Sequence, residues 1–208
     1  VSGLLMLSDI AARLSALGGA AGALNDDINA MKYNPAGFAA IKQYEFQFSH
    51  YSSFASINYE SIMLGMPLLK YKAALGISID YLNYGDMEKR NNLGHDKGTF
   101  SADDLLLTIG YSKILKSKVQ LGFNFKYFTS NIENENANAI AFDAGALYNV
   151  NENILLGFAL QNFGDKITYI KEKEDLPLNF RVSTKYRILR FRHPPAFLLD
   201  INIPRGDK

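Results

Sequence analysis

No cysteine occurs among the 208 residues, which excludes thiol nucleophiles, disulfide scaffolds and cysteine-based zinc sites. Tryptophan is missing as well. Net charge is nearly absent: 22 Lys and Arg stand against 21 Asp and Glu, which leaves no concentrated basic face for nucleic acid. No run of about 18 apolar residues is present, so a transmembrane helix is excluded while transmembrane strands are not. The first residues show no charged stretch followed by an apolar one, so no leader is expected within them. Disorder is excluded by a hydrophobic share of 48%.

Catalytic signatures are missing too. His50, His95 and His193 fall in separate segments, too scattered for a metal triad. Asp103 and Asp104 are neighbours in a strand-like run, where adjacent side chains point to opposite faces. The glycines lie in strand-like runs and form no phosphate loop. The chain is therefore read as no enzyme, with no cofactor and no metal.

What is present is a period of two. In Lys118–Tyr127, Val119, Leu121, Phe123, Phe125 and Tyr127 share one face, and Gln120, Gly122, Asn124 and Lys126 the other. Residues 73–81, 104–111 and 178–186 repeat the pattern, and 140–148 and 154–161 follow it less cleanly. With 44–50, 54–66 and 196–203 the count is nine strands, which makes the chain all-β.

Three features separate a transmembrane antiparallel β-barrel from a soluble all-β binding barrel or sandwich. Several strands run to about ten residues, the length a tilted membrane strand needs. Tyr71, Tyr111, Tyr148 and Tyr186 close the apolar face at one end, and Tyr81 and Tyr127 at the other, as in an aromatic girdle. Connections alternate short and long: 67–70, 114–117 and 149–152 against the polar stretches 85–100, 129–138 and 164–175. Such barrels have short periplasmic turns and long outer loops. Strand nine then runs outward, whereas bacterial barrels close with an even count, so a part of a larger barrel is expected.

The opening residues differ from all of this. Gly18–Ala40, "GGAAGALNDDINAMKYNPAGFAA", is small, apolar and weakly helical. "ALGGA" at 16–20, the pair Asp26-Asp27, and Asn34-Pro35-Ala36-Gly37 ahead of the first strand resemble the N-terminal signature of the PorV/PorQ family. "LPLNFRVSTKYRI" followed by "LLDINIP" resembles a paired strand segment of the same family, which is similar in turn to FadL-type outer-membrane transporters. The resemblance implies a FadL-like barrel of about fourteen strands, of which nine are here, with a short helical N-terminal plug. It divides the chain into a plug or hatch segment at 1–42 and barrel strands at 43–208.

Asp26, Asp27, Asn34, Pro35 and Gly37 form the plug motif. Asn34 caps and Pro35 opens a helical turn, and Asn25 caps a turn carrying the acidic pair. Gly76, Gly110, Gly122, Gly145 and Gly157 fall at inward positions, leaving room for a slim segment. A capped helix covering the barrel end is the alternative placement. Inward polar residues are Asp80, Asp104, Lys126, Asp143, Gln161, Arg181 and Lys185, read as lining a solute path, pairing with the plug, or belonging to an interior that is polar throughout. Arg187, Arg190, Arg192 and His193 form a basic turn at the periplasmic end.

The resemblance implies residence in the bacterial outer membrane, with lipid as one partner. Two functions follow from it. One is passive transport of hydrophobic small molecules, and the other is a type IX secretion role in which cargo C-terminal domains are bound.

Overall fold

The computed structural model describes residues 3–8, 11–53, 56–169 and 172–205. Phe54 and Ala55, where the second expected strand begins, and parts of the 1–42 and 164–175 segments lie outside the described residues. Nine strands form one antiparallel sheet: β1 (Glu45–Ser52), β2 (Asn58–Leu68), β3 (Ala73–Arg90), β4 (Asp96–Lys116), β5 (Val119–Ile132), β6 (Glu135–Asn149), β7 (Ile154–Gly164), β10 (Asn179–Arg187) and β11 (Ala196–Pro204). Neighbours in sequence are neighbours in space throughout. A separate hairpin, β8 (Ile167–Tyr169) with β9 (Glu172–Glu174), sits between β7 and β10. Among the described residues β1 and β11 do not pair with each other, so the sheet is open between them.

The three polar stretches expected to be long loops are mostly strand. Pairing of β3 with β4 continues through Met87↔Phe100 to Arg90↔Asp96, and that of β5 with β6 through Thr129↔Asn138 to Ile132↔Glu135. Antiparallel ladders are held by main-chain groups, which polar side chains do not interrupt, and Thr99, Phe100, Thr129 and Ile132 favour extended backbone. Two rims result. One carries short turns, and the other carries hairpins that overrun the apolar zone.

The two faces invert the rule of soluble proteins. Phe123, Ile109, Phe158, Phe180 and Leu199 are exposed on the outer face, while Asp80, Asn124, Lys126 and Asp143 are buried on the inner one. The sheet curls around the N-terminal segment, which touches both of its edge strands, β1 and β11, and strands between them. At the hairpin end the interior is apolar: Leu82, Leu106, Phe128, Ile167 and Leu176 pack with Leu5 and Met6.

Candidate functional site

The inner face is crossed by a belt of glycines brought into line by strand register. Gly65 pairs with Gly76 and Gly76 with Gly110 on β2–β4, and Gly122 pairs with Gly145 on β5–β6, offset by two residues where Gly110 faces Asn124. The belt lets main chain approach main chain. A Cβ at Gly122 would overlap the Pro35 carbonyl and the Ala36 nitrogen, and one at Gly145 would overlap Asn34 Oδ1. At Gly157 the obstacle would be the Gly22 carbonyl, and at Gly76 and Gly110 the Met31 sulfur and the Phe38 ring. Residues 22–38 thus lie directly on the belt.

This segment is turned rather than helical. Among the described residues the one α-helix, α1 (Ala12–Ala16), is five residues long, and Gly18 and Gly19 beyond it take left-handed φ of 61° and 75°. Ile28–Lys32 forms a 3-10 turn. Its cap is Asp27, whose side chain accepts from Asn29 N at 2.8 Å, and not Asn25, whose Oδ1 accepts from Lys185 Nζ at 3.1 Å. Asn34 caps no helix. Its Oδ1 accepts from Ala36 N at 3.0 Å in a local turn, while its amide donates to the Gly22 and Ala146 carbonyls. Pro35 rests against Gly122, and Gly37 packs so closely on the Leu24 carbonyl and Ala30 that a side chain has no room. Asp26 and Asp27 both pair with Arg13, which ties α1 to the following turn.

Side chains of the wall hold the main chain of this segment. Asp200 Oδ2 in β11 accepts from Ala21 N at 3.0 Å, Gly22 N at 2.8 Å and Arg181 Nη1 at 2.8 Å. Arg181 also reaches the Gly19 carbonyl and lies over the Tyr33 ring, 4.5 Å from its centre. Gln161 donates to the Lys32 carbonyl at 2.9 Å, Asn124 to that of Met31 at 3.0 Å and Ser112 to that of Ala36 at 3.0 Å. Glu45 accepts from Ile28 N at 2.8 Å. Lys32 reaches from the segment to the wall, at 2.6 Å from Asp80 Oδ1, to which Tyr59 also donates, while Ser78 donates to Oδ2.

Lys126 and Asp143 make the second buried pair, at 2.8 Å, both almost fully enclosed. Asn124 and the backbone of Asn162 donate to Asp143, and Asn162 Oδ1 accepts from Lys126 at 2.7 Å. Asn162 has φ 59°, at the register shift between β6 and β7 that turns its amide inward. Asp104 stands apart toward the hairpin end, bonded to Tyr84 at 2.8 Å. Of the seven inward polar residues expected from sequence, Asp80, Gln161, Arg181 and Lys185 touch the N-terminal segment, Asp143 braces Asn124, which does, and Lys126 pairs with Asp143.

Sequence reading passed over Lys32, Glu45, Asp200 and the glycines at 22 and 65. Asp200 carried a signal, being a charge between apolar neighbours in "FLLDINI". Lys32 carried none. Between the Leu4–Leu7 turn, Met31–Tyr33 and the wall lies a cavity of about 60 Å³, bordered by Asp80, Lys126 and Arg181. That is room for a few waters at about 10–15 Å³ each. Among the described residues no group of His, Asp and Glu is placed to hold a metal ion.

A polar, glycine-belted β-sheet curled around its own N-terminal segment and apolar on the outside defines the class. The family pattern described as type IX secretion system protein PorV matches residues 2–191, and the chain belongs to that family. No curated protein matches it.

Proposed function

We propose that the chain acts in type IX secretion as an outer-membrane component: a transmembrane β-barrel with an N-terminal plug that receives the C-terminal domains of secreted cargo. The family match over residues 2–191 carries this reading. The outer face supports the membrane part, since exposed Phe123, Ile109, Phe158 and Leu199 suit lipid and not water. Lipid contact is therefore the partner for that face, and the bacterial outer membrane its place.

Passive transport of hydrophobic small molecules is the weaker reading. Ligand pockets run to about 300–1,000 Å³, whereas residues 22–38 lie on the glycine belt and the cavity beside Met31–Tyr33 holds about 60 Å³. For transport the segment would have to leave its belt.

Retention experiments with the detergent-solubilised full chain separate the two. A secreted cargo domain immobilised on resin should retain the chain, and a version without the domain should not. If the cargo domain fails to retain it while proteoliposomes take up a hydrophobic tracer, the secretion reading is wrong. Phe123→Arg tests the lipid face independently. It should impair assembly in vesicles by about 2–4 kcal/mol, and an unaffected variant would refute the membrane assignment. Deleting 18–40 should raise conductance in planar bilayers, and an inserted deletion variant as quiet as the parent would refute the plug.

A further inference from the structure

The near-zero net charge of the chain conceals a segregation along the strands. In a meander of this order the β2–β3, β4–β5, β6–β7 and β10–β11 connections all fall on one rim. Lys70 and Lys72 lie in the first of these turns and Lys116 and Lys118 in the second, all exposed. Arg187, Arg190 and Arg192 follow in the last. Glu152 in the β6–β7 turn is the acid among them. Among the described residues none of these seven cations is paired with a carboxylate.

The hairpin rim is arranged differently. Lys89 pairs with Glu133, Arg90 with Glu88 and Lys166 with Asp175, which neutralises three of its cations where they stand and leaves Lys97 and Lys173 outside those pairs. Asp86, Asp96, Glu135 and Asp165 remain there as an acidic surplus.

The unpaired cations also have apolar neighbours. Leu69 and Tyr71 flank Lys70, Leu115 precedes Lys116, and Phe191 stands between Arg190 and Arg192, all exposed. Just above them on the outer face run Tyr111, Tyr148 and Tyr186. Cations placed at the edge of an apolar face, with aromatic rings beside them, match a layer of anionic headgroups over acyl chains.

We propose that the short-turn rim is a collar for anionic phospholipid headgroups, with the arginines of the β10–β11 turn as its densest part. This rests on the membrane reading above. The collar places phosphate groups against the guanidinium and ammonium groups while Leu69, Leu115 and Phe191 enter the acyl boundary. It also sets the orientation of the barrel, because the acidic hairpin rim repels the same headgroups.

The test uses the full chain in vesicles of phosphatidylcholine with phosphatidylglycerol, with spin-labelled versions of each lipid reporting selectivity at the protein surface. Shifted mobility on gels before and after boiling reports insertion separately. Phosphatidylglycerol should be preferred, and the preference should vanish in about 1 M salt, where the screening length is about 3 Å. The variant R187Q/R190Q/R192Q should lower the preference by about half or more and leave insertion unchanged, and adding K70Q/K72Q should bring it to parity. An inserted protein with no preference for phosphatidylglycerol overturns the collar alone. A chain that does not insert overturns the membrane reading and the collar with it. Loss of lipid preference combined with arginine-dependent capture by polyglutamate would assign the rim to an acidic protein instead.

Discussion

At the hairpin end of the interior, Leu82, Leu106 and Phe128 bury against Leu5 and Met6; only a few residues along from Leu82 and Phe128, Asp80, Asn124 and Lys126 are buried just as deeply among charges and amides. The first region is held by removal of apolar surface from water, which is non-directional and forgiving of small shifts. The second is held by directed bonds to the main chain of residues 19–36 and by a glycine belt with no space to spare. Apolar packing closes the interior, and polar pairing decides which segment may occupy it. An apolar lining throughout would accept many segments. The carboxylate of Asp200 on Ala21 N and Gly22 N, with Gly157 leaving space for the Gly22 carbonyl, accepts few.

The largest expected effect comes from unpairing the polar region. Asp143→Asn leaves Lys126 as a buried cation without its anion and should cost about 3–5 kcal/mol in urea unfolding of the reconstituted protein. Adding Lys126→Met to that variant should recover most of the loss, because a buried pair replaced by apolar groups is often neutral. A double variant as unstable as the single one would show that the amide network, and not the charge pair, holds this region. Next comes the apolar region. Leu106→Ala should cost about 2–5 kcal/mol by loss of burial and by the cavity left behind. No companion substitution of a charged residue should relieve it, and a loss below about 1 kcal/mol would show that the Leu5–Met6 turn collapses into the gap.

Much of this architecture was legible in the sequence, for identifiable reasons. A period of two maps directly onto the faces of a sheet, so Phe123 outside and Asn124 inside followed from alternation alone. The inward glycines were legible in the same way, yet their alignment into a belt was not. Gly76 opposite Gly110 depends on a register between strands that no local pattern records. The N-terminal segment read as helical because alanine favours helix, but Gly18 and Gly19 end α1 after one turn and wall bonds dictate the rest of its path. Asp200 showed as a charge among apolar neighbours, but what it holds was illegible, since the backbone groups it accepts from are 178 and 179 residues away. The polar stretch 85–100 was read as loop because polarity was mistaken for a break in pairing. The belt and the grip on the segment were thus half visible, the residues more than their assembly.

A methyl group placed on the belt sharpens the comparison from the steric side. Gly122→Ala would drive Cβ into the Pro35 carbonyl and Ala36 nitrogen, both main-chain atoms, and should cost about 1–3 kcal/mol by overpacking. Its counterpart in the hairpin-end cluster is Ala137→Gly, which adds no bulk and should cost less, about 0.5–1 kcal/mol. Equal losses would mean that the segment slides along the belt. Protease sensitivity at Gly18–Gly19 should rise in Gly122→Ala alone, since only there is the segment displaced.

The smallest effect belongs to the exposed pair that closes the base of the β8–β9 hairpin. Lys166 Nζ lies 2.9 Å from Asp175 Oδ1, and the hydrogen bond and charge of Lys166 hold the Asp175 carboxyl below its ordinary value of 3.8. A depressed folded-state value contributes stability that is present above the unfolded value and is lost as pH falls through the folded one. Both side chains are about half exposed, so salt screens the pair and its contribution is slight. The protection of the Ile167 and Glu174 amides, taken relative to the intrinsic exchange rate at each pH, should therefore be steady from neutral pH down to about 4 and fall below it. Asp175→Asn should show the lower protection at every pH, with no step. Leu106 and Phe128, in the apolar interior nearby, should keep their protection across the whole range. A pH step that persists in Asp175→Asn would place the titrating group elsewhere, and loss of protection at Leu106 together with Ile167 would show that the hairpin and the apolar interior open as one unit.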